Sequence, residues 1–94
     1  MAVYSIWESR FPAETAEEGI RVTKAIWGDM LCFDGYLSHE LIQDLDQPGH
    51  LFVVGRWASR EAADAAMSYV SHPNARRAEQ LVSEPRRRTV GAPP

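Results

Sequence analysis

From Gly35 to Pro73 the chain runs without interruption through strand, tight turn, strand and helix. Few small folds accommodate that order. Tyr36 to about Gln43 reads as one strand and His50 to Trp57 as the returning one. Between them, Asp46-Gln47-Pro48-Gly49 places Pro and Gly where a hairpin must reverse. Two residues after Trp57, Ser59 stands as the N-cap of an alanine-rich amphipathic helix. Its inward stripe is expected to be Ala63, Ala66, Met67 and Val70, with Ala62 and Tyr69 flanking.

The flanking segments complete the pattern. Val3 to Phe11 predicts a first strand, with Tyr4 and Ile6 on one face and Val3, Ser5 and Trp7 on the other. After Pro12, acidic residues open a helix that is expected to reach about Leu31. Ala16, Ile20, Thr23, Trp27, Met30 and Leu31 form its apolar stripe, with Ile26 beside it, and Glu17 and Arg21 are placed for an i,i+4 pair. His72-Pro73-Asn74 interrupts the later helix, and His72 is expected to help cap the junction. A further helical piece turns Ala75, Ala78, Leu81 and Val82 inward, Pro85 stops it, and Arg86 to Val90 forms a last strand. The reading is one α+β domain over residues 1–91, a ferredoxin-like βαββαβ order with a four-stranded antiparallel sheet, followed by a flexible tail at 92–94.

One strand constrains the assembly. Leu51-Phe52-Val53-Val54 is apolar on both faces, yet helices from one chain cover only one face of such a sheet. Each apolar side chain left in water forgoes about 1.5–3 kcal/mol, and a domain of 94 residues has little stability to spare. A second copy packed sheet to sheet is the expected cover, giving a homodimer.

Composition excludes several classes of partner. A net charge of −3 gives no case for nucleic acid, and no apolar run approaches the length of a membrane span. The first residues lack the pattern of a signal peptide, so a cytoplasmic location is the simplest expectation. Cys32 is the single cysteine, His39, His50 and His72 have no zinc-site spacing, and no glycine-rich phosphate loop is present. No metal and no nucleotide cofactor is therefore expected. His50 beside the turn is expected to be solvated; Glu8, Arg10 and the run Arg86-Arg87-Arg88 could place charge at a pocket mouth or across a dimer seam, but the run is expected to be a charged sheet edge.

The Gly-aromatic-Leu strand at Gly35, the Asp-x-Pro-Gly turn and the hydrophobic strand closing on Trp57-x-Ser59-x-Glu61-Ala62 resemble the antibiotic biosynthesis monooxygenase family of small dimeric α+β barrels. The resemblance covers about residues 3 to 90. It implies the same homodimer and a cofactor-independent monooxygenase acting on an aromatic polyketide or quinol-type small molecule. In such chemistry an electron-rich carbanion or phenolate itself reduces dioxygen, so the protein deprotonates, orients and excludes water. Trp57 stands where many family members carry a Trp, and would orient the substrate by stacking and an N–H hydrogen bond. His39 is the candidate general base, with a tyrosine as the alternative group for proton removal. Trp7, Trp27, Tyr36, Met67 and Tyr69 are candidate substrate contacts, and Arg77 a candidate cation for an anionic substrate oxygen. The family's polyketide oxidases pair that Trp with an Asn four residues earlier, where this chain has Val53. The related haem-degrading enzymes need an Asn, a Trp and an axial His where this chain has Ser9, Ala66 and the segment near Arg77. Other readings stand beside the oxygenase: a non-catalytic binding or assembly module whose aromatic side chains plug the core, or a cyclase or isomerase. Trp57 as a core aromatic at a chain corner, and the alanines as close helix packing rather than cavity, are the corresponding structural alternatives.

Overall fold

The computed structural model describes residues 2–94. Its elements are β1 (Val3–Arg10), α1 (Ala16–Asp29), a 3₁₀ turn (Met30–Cys32), β2 (Tyr36–Gln43), β3 (His50–Trp57), α2 (Arg60–Ala65), a 3₁₀ segment (Ala66–Ser71), α3 (Pro73–Leu81) and β4 (Arg87–Gly91). The strands form one sheet in the order β2-β3-β1-β4, every neighbouring pair antiparallel. This is the expected ferredoxin-like α+β fold. Leu51, Val53, Gly55 and Trp57 of β3 are buried under the helices, together with Ser5 and Ser9 of β1. Ile6, Leu37 and Ile42 remain exposed on the chain, and Phe52 and Val54 are half-buried on the face away from the helices.

Local chemistry explains most boundaries. Ser59 Oγ accepts from the Ala62 N–H at 3.1 Å and opens α2; His72 does the same for Asn74 at the start of α3, also at 3.1 Å. Pro73 occupies the first turn of α3, where its missing N–H costs nothing. Gly35 takes φ +83° before β2 and lies against Ala62, so a side chain there would be strained and would collide.

Three expectations about the helices are corrected. The α2 stripe does not continue at helical spacing. At Ala66 the chain tightens into 3₁₀ geometry, and the buried positions become Ala63, Ala66 and Tyr69, three residues apart. Val70 is turned out to solvent. In the same way the turn at Met30 leaves Leu31 65% exposed, while Val22 and Ile26 join the core. Arg21 meets Glu18 at 3.9 Å rather than Glu17.

His50 is not solvated. It is 9% exposed, with Nδ1 2.9 Å from Asp44 Oδ2 and Nε2 2.6 Å from Glu8 Oε2. The hydrogen bonds to Asp44 and then Glu8 raise its pKa, with burial and the charge of Arg10 opposing. Asp44 is held below the ordinary carboxylate value by His50 and by the N–H groups of Asp46 and Gln47. The stabilisation from His50 is therefore fully present below its ordinary value of 6.5 and is lost as pH rises through the raised folded value. The Asp44 contribution is present above its ordinary value of 3.8 and is lost as pH falls through the lowered one. Thermal melts of the wild type should drop by a few degrees between neutral and mildly alkaline pH, and those of His50→Gln should stay flat there. Parallel curves for the two proteins would exclude this pairing as the source.

Candidate functional site

The helix-facing side of β1 and β3 does not meet the helices everywhere. Between them lies a partly open cleft. Small residues make the room: Ala63, Ala66 and Ala75 face it, whereas Ala62 is packed against Gly35. Both readings of the alanines are thus realised, at different positions. Gly55 makes a second concession. A Cβ there would stand 2.6 Å from Cη2 of Trp27 and 2.9 Å from Ser5 Oγ, so only glycine lets the Trp27 indole lie on the strand.

The walls are aromatic. Trp7, Trp27, Trp57, Tyr69 and Met67 all line the cleft, and the Trp27 and Trp57 rings are 6.4 Å apart at 57°. Trp57 is 1% exposed, and its indole N–H donates to Ser5 Oγ at 3.1 Å. Its donor is therefore satisfied inside the protein. Val53 lines the cleft beside it and contributes no polar group.

His39 and Tyr36 lie outside this lining. Leu37 sits in an irregularity of the β2–β3 pairing, which turns Tyr36 onto the same face as His39 although three residues separate them. The Tyr36 hydroxyl and His39 Nδ1 are 2.6 Å apart, and the His39 ring packs on Trp27 at 5.4 Å. His39 thus backs the Trp27 wall, while the Tyr36 ring stands edge-on to Trp57 at 5.8 Å. Arg77 is on the outer surface, where Nε and Nη2 hold the two oxygens of Glu18 at 2.8 and 2.9 Å. That pair depresses the Glu18 pKa.

The cleft has two polar features. The first joins α1 to the 3₁₀ segment. The Tyr69 hydroxyl donates a short hydrogen bond to Asp29 Oδ2, and Asn74 Nδ2 approaches the same hydroxyl at 3.5 Å. The Tyr69 ring is stacked on His72 with centroids 4.4 Å apart. Burial, then the bond to Asp29, pushes the Tyr69 pKa up to about 12, so the hydroxyl stays protonated near neutral pH. Asp29 itself is exposed.

The second feature is basic. Arg86 and Arg88 both line the cleft rather than forming a solvated edge, and only Arg87 points away as expected. The cause is register: Arg88 is opposite Trp7 in the β1–β4 pairing and so shares its helix-facing side. The Arg86 guanidinium lies 5.1 Å from the Trp7 ring centre and 2.7 Å from Glu79. Arg88 Nη2 donates to Ala63 O at 3.2 Å and to Asp64 Oδ1 at 3.0 Å. Among the described residues, no group of three or more His, Cys, Asp or Glu is arranged to hold a metal ion.

The sequence pattern of antibiotic biosynthesis monooxygenases matches residues 2–79. The chain belongs to this family. Solved structures repeat the fold of this monooxygenase-family chain. SnoaB, a cofactor-independent oxygenase from Streptomyces nogalater, superposes with a TM-score of 0.85 at 14% identity, over 98% of this chain and 92% of that one. Rv0793 from Mycobacterium tuberculosis gives 0.79 at 23% identity, over 99% and 95%. A conserved protein from Methanosarcina mazei gives 0.79 at 13%, over 96% and 90%. At these identities the likeness concerns the fold. No curated protein sequence matches the chain. Among the described residues, no helix is long and apolar enough to cross a membrane.

Proposed function

We propose that this chain is a cofactor-independent oxygenase that takes an anthrone- or quinol-type aromatic into the cleft between sheet and helices. The observation that carries the reading is the cleft itself: indole walls with one protonated tyrosine hydroxyl backed by a solvent-facing carboxylate. Flat aromatic walls favour a planar ring system. Family membership and the fold shared with a cofactor-independent oxygenase support the same chemistry.

Tyr69 and Asp29 provide a route for the proton. A substrate hydroxyl or activated C–H gives its proton to the Tyr69 oxygen as the Tyr69 hydrogen passes to Asp29 Oδ2, and Asp29 returns it to water. The electron-rich anion left behind transfers one electron to dioxygen. The resulting pair combines to a peroxide at carbon, and loss of water leaves a carbonyl. For an anthrone the CH₂ group and O₂ become C=O and H₂O, with all four electrons supplied by substrate; for a quinol the two hydroxyls and O₂ become the quinone and H₂O₂, with two electrons supplied. His39 acts through Trp27 and Tyr36 through Trp57, against which they pack, and Trp57 orients the ring by its face.

The open sheet face, with Ile6 and Ile42 exposed beside Val54 and Phe52, is covered in this reading by a second copy. A binding module without chemistry is the second reading, favoured by the commitment of the Trp57 N–H to Ser5.

Oxygen consumption with dithranol and with menadiol, on protein freed of metal and flavin by dialysis against chelator, separates the two. Stoichiometric uptake with formation of the carbonyl product is the expected result. Saturable quenching of the tryptophan fluorescence without oxygen uptake would instead establish the module.

A further inference from the structure

We propose that the cleft is selective for an aromatic anion, a planar ring system carrying a carboxylate that is met by Arg86 and Arg88. This rests on the cleft being a small-molecule site and adds the charge of what it takes.

The lining contains those two arginines and no aspartate or glutamate. Their side chains are only 13% and 21% exposed, so both cations act where water screens them poorly. Each is anchored from outside by a well-solvated acid, Arg86 by Glu79 and Arg88 by Asp64. Those ties restrain the long side chains before a ligand arrives, which lowers the entropy lost on binding. They also leave donors over. Arg86 uses Nε and Nη2, and Arg88 uses Nη2 alone; Arg86 Nη1, and Arg88 Nε and Nη1, have no acceptor among the described residues. Guanidinium N–H groups of this kind suit a carboxylate better than a neutral oxygen, because charge-assisted bonds are roughly twice as strong. Arg86 already lies on the Trp7 ring, so the charged group and the stacked ring of one ligand would meet adjoining surfaces.

The matched probes are 1-hydroxy-2-naphthoate and its neutral methyl ester, followed by quenching of the tryptophan fluorescence. The wild type should bind the acid at least about tenfold more tightly than the ester, with the preference shrinking as salt is added. Arg88→Met should bring the two affinities within about threefold, the loss of a single charge-assisted contact. Arg86→Met, which leaves every tie of Arg88 to α2 intact, is the second variant, and far-UV circular dichroism checks that both fold. An ester bound as tightly as the acid, or a preference untouched in both variants, overturns the charge assignment while leaving an aromatic site standing. Failure of both probes to bind the wild type overturns the assignment together with the proposed function.

Discussion

Replacing Tyr69 with Phe should lower kcat for oxygen consumption by about 10²–10⁴, the usual loss when a positioned proton-transfer group is removed. The substitution keeps the ring, its stacking on His72 and its edge contact with Phe33 at 6.4 Å. Only the hydroxyl, with its hydrogen bond to Asp29, is lost. Asp29 is exposed and returns to water, so thermal stability should fall by no more than a few degrees. Ligand affinity should change little, which separates proton transfer from binding. Asp29→Asn should reproduce the kinetic loss, since an amide cannot take up the relayed proton. Because burial and Asp29 push the Tyr69 pKa up to about 12, the wild-type rate should show no inflection from this tyrosine between neutral and mildly alkaline pH. A Tyr69→Phe protein that turns over at the wild-type rate removes the relay from the mechanism.

Val54→Asp should be the most disruptive single change on the open sheet face. Val54 lies opposite Ile6 on one side and Glu40 on the other, in the central strand pair. Inside a sheet-to-sheet seam the new carboxylate would be buried without a cation, next to the existing Glu40, at a cost of about 3–5 kcal/mol. Sedimentation at micromolar concentration should therefore give a dimer for the wild type and a monomer for the variant. On a free face the same substitution would be nearly neutral, because Asp would simply meet water. A wild type that sediments as a monomer at that concentration removes the second copy from the reading.

The fold is legible in the sequence because its signals are local. The turn residues between β2 and β3, Ser59 before α2 and the His72-Pro73 step before α3 each act within four residues of themselves. The site is legible only as a set of aromatic residues. Trp7, Trp27, Trp57, Met67 and Tyr69 reach the cleft because strand and helix faces send them there. Tyr36 and His39 stand outside it, His39 against the Trp27 indole and Tyr36 against Trp57, and an irregularity at Leu37 that no residue type announces sets their shared face. Tyr69 reaches Asp29 across 40 residues of sequence, and His50 reaches Glu8 across 42. Spacing carries no trace of such pairs. The inward turn of Arg88 is hidden for a related reason: its face depends on the register with Trp7, and an arginine run looks alike in either register.

The strand order also dictates when this molecule becomes complete during folding. β2 and β3 close on one another through a short hairpin, and the helices need only neighbouring residues. β1 lies between β3 and β4, and its bond from Trp57 to Ser5 spans 52 residues. Closing such long loops costs chain entropy before any contact repays it, so those pairings form late. Ser5 and Trp7 arrive with β1, and Arg88 with β4. The cleft is therefore absent from any partly folded chain that has only its hairpin and helices. A molecule held there recognises the finished sheet alone, and by mass action it pulls the whole population toward that state.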